Sequence, residues 1–363
     1  MTSAARHRHR GAPVALLGAL CGLLLAGGCG GTGHPSAPGG GPLPFLGLVP
    51  NPTDANFANP DSNLAAIQLL QSTGVDFTQS GDLWSSLEPT PGAIDGARVR
   101  FQARVFATLG LAQYYNLRIV DTNQRGVPAD LAATAWDAPE MLARVDAMVD
   151  TLLAVAANWP FVALSLGNEV DGYFGQPAHQ AEFPAYLALV RREIARVHAA
   201  RPGLKVACCT TSPPANPAAW VGDSLNASTD VRVYTYYPFV PASDFQHRPP
   251  TVLDGDLDAI VARAATPVLL QEVGYSSSAA CGSSPAAQAE FVRRFRRWHA
   301  RQSRDRVLGA NYFLFTDWTS ATLNRLFAYY GGTSPGFAGY LGGLGLRDSL
   351  GRAKPSWEAW RAP

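Results

Sequence analysis

Lysine is nearly missing from this chain: of its 29 basic residues only Lys205 and Lys354 are lysine, a skew that reads as codon bias and carries no function. Neither sign of charge predominates, with 29 basic against 28 acidic residues, so nothing in the balance attracts a nucleic acid. Metal-ligand spacing is also lacking. The one His-x-His, His7 and His9, sits at the extreme N-terminus, and the five cysteines follow no ligand pattern. No metal and no other cofactor is expected. The apolar run Val14–Ala26 is too short to span a bilayer, and neither an internal repeat nor a second domain is visible.

That short run has a different meaning. Arg6, Arg8 and Arg10 precede it, and residues 1–28 have the form of a secretory signal. Its end, Leu25-Ala26-Gly27-Gly28-Cys29, resembles a lipobox, in which cleavage leaves Cys29 to be lipidated; ordinary signal cleavage nearby is the alternative. The expectation is an extracytoplasmic lipoprotein held to a membrane through Cys29, or else a secreted protein. Residues 29–43, rich in Gly, Pro and Ser, read as a flexible tether, and residues 44–363 as one domain, expected to be monomeric. Cys208, Cys209 and Cys281 then remain in an oxidising compartment, where one disulfide and one free thiol are expected. Cys208 and Cys209 face opposite sides of a strand, so only one of them can pair with Cys281.

From Pro44 onward, short apolar runs alternate with helical patterns. Strands are expected at Phe45–Val49, Gly74–Ser80, Leu117–Asn123, Phe161–Gly167, Leu204–Thr211, Val231–Phe239, Val268–Glu272 and Val307–Trp318. Helices are expected near Asp61–Ser72, Arg98–Tyr114, Glu140–Asn158, Pro184–Ala200, Pro217–Leu225, Leu253–Ala265, Ser284–Gln302 and Ser356–Trp360. Strand-then-helix units in that number predict an α/β fold, a single (β/α)8 TIM barrel.

Two strand ends carry chemistry. Phe161–Gly167 is apolar on both faces, as a fully buried parallel strand must be, and runs directly into Asn168 and Glu169. Val268-Leu269-Leu270 likewise runs into Gln271 and Glu272. In a barrel both carboxylates reach the same C-terminal face. A pair of carboxyl groups across a cleft is what glycosidic cleavage requires: one neutral to protonate the leaving oxygen, one ionised to attack or to activate water. The competing reading of Glu169 or Asp171 is a helix N-cap.

Several stretches together resemble the glycoside hydrolases of clan A, the four/seven barrel superfamily. Gly167-Asn168-Glu169 looks like the Asn-Glu ending strand four, and Gln271-Glu272-Val273-Gly274 like the nucleophile strand. Tyr312–Trp318 looks like strand eight with its tryptophan, Trp84–Gly92 like the loop after strand two, and Gly343–Trp357 like the closing stretch. Tyr236-Tyr237-Pro238-Phe239 has some likeness to endo-β-1,4-galactanases, and the loop after strand two to cellulase and mannanase families. Unlike the cellulase-type families, Tyr234-Thr235-Tyr236 carries no histidine.

The resemblance implies a retaining β-glycoside hydrolase acting on a β-linked carbohydrate, with Glu272 as nucleophile and Glu169 as acid/base. It also implies that Asn168 holds the sugar 2-hydroxyl and that Trp318 lies beneath the ring. Tyr236 is expected to donate a hydrogen bond to Glu272, with Tyr237 or Tyr234 as alternatives. Trp84 is expected to line a subsite or else to pack, and Asp121 on the third strand to reach the cleft. The competing class is a surface lipoprotein that binds glycans on the same fold without cleaving them.

Overall fold

The computed structural model describes residues 42–51, 60–159, 161–212, 216 and 218–362. The signal segment, Cys29 and nearly all of the tether lie outside the described residues.

The barrel strands are β1 Phe45–Leu48, β2 Phe77–Leu83, β3 Ala112–Asp121, β4 Phe161–Asn168, β5, β6 Arg232–Tyr236, β7 Val268–Val273 and β8 Val307–Tyr312. β5 is in two pieces: Lys205–Ala207 pairs with β4, and Cys209–Thr211 pairs with β6. β8 pairs in turn with β1, Phe45 standing opposite Gly309. Every barrel pair is parallel, and the sheet nearly closes on itself as a barrel, its ladder interrupted only between the two pieces of β5. Its ten strands are these segments plus Gln124–Arg125, which folds back antiparallel on the end of β3.

Helices α1 Pro60–Gln71, α2 Gly96–Thr108, α3 Pro139–Ala156, α4 Phe183–Ala200, α5 Ala219–Asn226, α6 Leu253–Arg263 and α7 Pro285–Ala300 connect the strands. Phe77, Tyr114, Ala163, Cys209, Val233 and Leu269 fill the barrel's lower interior. Larger clusters fill the space between helices and strands, with Met148, Leu152 and Val190 on one side and Phe291, Phe295 and Trp298 on the other.

Several expected boundaries shift by a few residues, and two shift by six, each for a local reason. The helix expected to reach Tyr114 stops at Thr108, because Leu109 closes it and Gly110 turns with φ +70°, a conformation glycine adopts without a Cβ penalty. Tyr114 and Tyr115 are strand residues on opposite faces of β3. Tyr114 OH donates to Gln271 Oε1 inside the barrel at 2.9 Å, while Tyr115 OH donates to Asp82 outside it at 3.1 Å.

The second boundary is the end of β8, expected at Trp318 and found at Tyr312. The peptide Phe313-Leu314 is cis. Beyond Trp318 the chain forms two further helices that the sequence reading did not place, α8 Ser320–Tyr330 and α9 Pro335–Gly342, before α10 Pro355–Arg361 ends the chain's described part. In α8 the residues Leu323, Leu326, Phe327 and Tyr330 form one apolar stripe at helical spacing, whereas α9 is only eight residues long with three glycines. Lys354, one of the two lysines, pins the closing stretch to the end of β8. Its ammonium lies 3.0 Å from Asp317 Oδ1 and donates to Gly343 O at 3.0 Å.

Candidate active site

The C-terminal ends of the strands enclose one cleft of about 930 Å³, within the range of small-ligand sites. Glu169 and Glu272 both line it, as do Asn168, Asp121 and Trp318.

Glu169 follows β4 in the left-handed region, φ 44° and ψ 44°, and Thr122, just after β3, has φ 54°. A non-glycine residue held there costs about 1–3 kcal/mol, and these two strained residues hold one another. Thr122 N donates to Asn168 O at 2.8 Å, and Thr122 Oγ1 donates to Glu169 Oε2 at 2.9 Å. Thr235 Oγ1 donates to the other oxygen, Oε1, at 2.7 Å. The backbone turn thus aims the carboxyl group across the cleft and two hydroxyls fix its plane. The short helix Val170–Phe174 begins here. Its Asp171, the cap candidate, instead accepts from Thr211 N at 2.8 Å, tying the β4 loop to β5.

Glu272 reaches the cleft through an irregularity in β7. Tyr234 pairs with Leu270 but Thr235 pairs with Glu272, so Gln271 is an extra residue, and the register with β8 shifts at the same place. Such a bulge lets consecutive side chains escape strict alternation. Gln271 Nε2 donates to Asn168 Oδ1 at 2.7 Å and lies 3.2 Å from Glu272 Oε1. Tyr114 OH and Asn116 Nδ2, each at 2.9 Å, hold the Gln271 carbonyl oxygen, so its amide can only donate toward the two site residues. Asn168 Nδ2 donates to Asp121 Oδ1 at 2.9 Å, and Tyr329 OH donates to Asp121 Oδ2 at 2.7 Å. Asn168 and Asp121 are therefore both in the cleft and bonded to one another.

The two carboxyl groups differ electrostatically. Burial, and then the charge of Glu272, push the Glu169 carboxyl up to about 8. Burial also raises Glu272, but hydrogen bonds from Tyr237, Gln271 and Gln79 pull it back. Three amide or phenol donors face Glu272, against two hydroxyls on Glu169. A proton added to the pair is therefore held by Glu169 and the negative charge by Glu272.

Two expected site residues lie elsewhere. The donor to Glu272 is Tyr237, at 2.6 Å from Oε2; Tyr236 is on the opposite face of β6, buried against α7 and donating to Asp256 at 3.0 Å. Strand alternation alone separates the two rings, and Tyr237 falls where the strand has ended and its ring turns inward. Trp84 is fully buried beneath the loop after β2 and outside the cleft. Its indole donates to Glu88 Oε2 at 2.6 Å, and Glu88 also pairs with Arg144 at 2.5 Å. Trp84 is a packing residue, the second of its two readings. Trp318 packs against Phe313, Leu326, Leu341 and Leu344 and lines the cleft.

The expected disulfide does not form: Cys208, Cys209 and Cys281 are free and buried. Cys208 Sγ donates to Leu166 O at 3.2 Å beneath the β4 end, whereas Cys281 Sγ donates to Gly336 O at 3.4 Å in α9, so the thiols serve different elements. His247 is buried with its imidazole stacked on Tyr275 at 4.0 Å and accepting from Ser276 N at 2.9 Å. Burial lowers its affinity for a proton to about 3. Among the described residues no three His, Cys, Asp or Glu side chains converge as a metal-ion site.

The fold is a (β/α)8 barrel with both glutamates at the C-terminal ends of its strands. No known protein family matches the sequence, and no curated protein is similar to it in sequence. Solved structures are similar in fold. A GH5_18 protein from Streptomyces cattleya, solved with Manβ1-4GlcNAc, superposes with a TM-score of 0.66 at 18% identity, over 87% of this chain and 79% of its own. An exo-β-1,4-mannosidase from Opitutaceae bacterium strain TAV5 gives 0.64 at 18% identity over 91% of this chain and 60% of its own. The GH53 catalytic domain of Ignisphaera aggregans gives 0.58 at 19% identity over 81% of this chain and 87% of its own.

Proposed function

We propose that this protein is a retaining β-glycosidase. The observation that carries the reading is the unequal pair: two half-buried glutamates at the ends of β4 and β7 on one cleft, Glu169 raised to about 8 and Glu272 supplied with donors from Tyr237 and Gln271. In the first step a Glu272 carboxylate oxygen attacks the anomeric carbon. The bond to the leaving oxygen breaks as that oxygen takes the proton of Glu169. In the second step Glu169, now a carboxylate, takes a proton from water, whose oxygen displaces Glu272 and restores the original anomeric configuration. Retention requires the two carboxyl groups about 5–5.5 Å apart.

Asn168, polarised by Asp121, meets the sugar 2-hydroxyl, a contact that strengthens as positive charge develops at the anomeric centre. Trp318 offers an apolar surface to the ring's C–H groups. Residues 1–28 direct export, and lipidation of Cys29 holds the barrel at an extracytoplasmic membrane surface.

The test is hydrolysis of a panel of aryl β-glycosides and β-linked oligosaccharides by the full chain, beginning with β-mannosides and β-galactosides, the sugars suggested by the neighbours above and by the galactanase likeness. Glu272→Ala abolishes turnover, and azide restores it with an inverted glycosyl azide as product. Azide restores Glu169→Ala on an activated aryl glycoside with a retained azide. Turnover on no substrate, with glycan binding equal in both variants and the parent, would instead identify a glycan-binding protein. Metabolic labelling with a radioactive fatty acid, lost in Cys29→Ser, checks the anchor.

A further inference from the structure

Resting on that reading, we propose that the enzyme takes its substrate by a chain end and releases sugar from there, because the segment after β8 roofs the side of the cleft where the transferred sugar must lie. α8 and α9 do not pack beside the barrel; they cross its mouth and are tied down on both far sides. Toward β3, Tyr329 OH donates to Asp121 Oδ2 at 2.7 Å, while Asn123 and Gln124 side chains donate to the carbonyls of Tyr330 and Tyr329, each at 3.3 Å. Toward β6, Gly336 N donates to Asp244 Oδ2 at 2.9 Å, and the Tyr340 ring stacks on Phe245 at 5.3 Å. Toward β7, Ser276 Oγ donates to Gly339 O at 2.7 Å. A segment anchored at three loops is a fixed wall.

The wall stands over the nucleophile. Tyr340 packs edge-on to Tyr237 at 5.1 Å, and Tyr237 holds Glu272. Among the described residues, Gly172, Gly175, Gln176, Pro177, Thr211 and Ser212 line the opposite rim, after β4 and β5, and Glu169 stands on this side. A general acid must lie beside the leaving oxygen. The leaving portion of the chain therefore runs out past Glu169, away from the wall, and the sugar bonded to Glu272 sits under it, where a continuing chain meets α8 and α9.

The experiment uses the full chain with β-1,4-mannohexaose and β-1,4-galactohexaose, each with the non-reducing terminal sugar free or capped as its 4,6-benzylidene acetal. End-on entry predicts one small product from the earliest time points and cleavage of the capped hexaose slower by about 100-fold, since the cap meets a wall and not solvent. Asp244→Ala, which unties α9, raises cleavage of the capped hexaose at least several-fold. Mixed internal products, with capped and free chains cut at equal rates, overturn the proposal. Binding to Glu272→Gln separates this from a failure of the catalytic reading. Without turnover by the parent protein, preferential binding of the uncapped chain still upholds the roofed end, and equal binding overturns it.

Discussion

The phenol of Tyr237 donates to Glu272 at 2.6 Å, while Tyr236, its neighbour in sequence, donates to Asp256 at 3.0 Å on the other side of the sheet. A hydrogen bond to a charged group is worth about 1.5–3 kcal/mol, and its loss raises the proton affinity of Glu272. Tyr237→Phe is therefore expected to lower kcat/KM by about 10- to 100-fold and to move the acidic limb of its pH profile upward. Tyr236→Phe leaves both within experimental error of the parent. Steady-state kinetics on the best aryl glycoside compare the two.

Burial and the charge of Glu272 raise Glu169 to about 8, and the general acid works only while protonated. Activity is expected to hold through neutral pH and to fall as pH rises through about 8. The limb disappears in Glu169→Ala assayed with a leaving group acidic enough to need no proton. A basic limb that survives the substitution would assign the titration to another group.

The same raised affinity has a cost in stability. Folded Glu169 keeps its proton while the unfolded chain ionises near 4.5, so its contribution is complete below that pH and is lost as pH rises through about 8. Glu169→Gln, which cannot ionise, is expected to melt with the parent at pH 4 and above it at pH 9. Differential scanning fluorimetry across that range measures the divergence, and parallel melting at every pH would mean that Glu169 ionises freely in the folded protein.

Arg144 pairs with the fully buried Glu88 at 2.5 Å, and Glu88 in turn accepts from Trp84 and from Gly92 N, each at 2.6 Å. Removing one member of a buried pair leaves an uncompensated charge, which costs about 3–5 kcal/mol. Arg144→Ala is expected to lower stability to urea by about that amount while kcat of the folded protein stays near the parent value. A large loss of kcat with little change in stability would instead return Trp84 and its loop to the cleft.

The barrel could be read along the chain because each strand and each helix is written in a local period, and burial on both faces leaves parallel strands almost free of polar residues until they end. Asn168, Glu169 and Glu272 stand out for that reason, as polar residues at the limits of apolar runs. Asp121 was visible in the same way. Gln271 was adjacent to Glu272 but carried no signal of its own, since its role depends on a bulge that appears only when β7 is laid against β6 and β8. Thr122 and Thr235 look like ordinary strand-end threonines until both are seen to reach Glu169.

Local pattern and spacing therefore determined the class of fold, the face on which the carboxylates emerge and the strands that carry them. Closure of the barrel decided the rest. Which tyrosine meets Glu272, whether Trp84 lines or packs, that three thiols lie apart, and that α8 and α9 cross the mouth are all contacts between segments distant in the chain. Their geometry depends on strand register and on the turns at strand ends, where a shift of one residue exchanges the two faces of a strand.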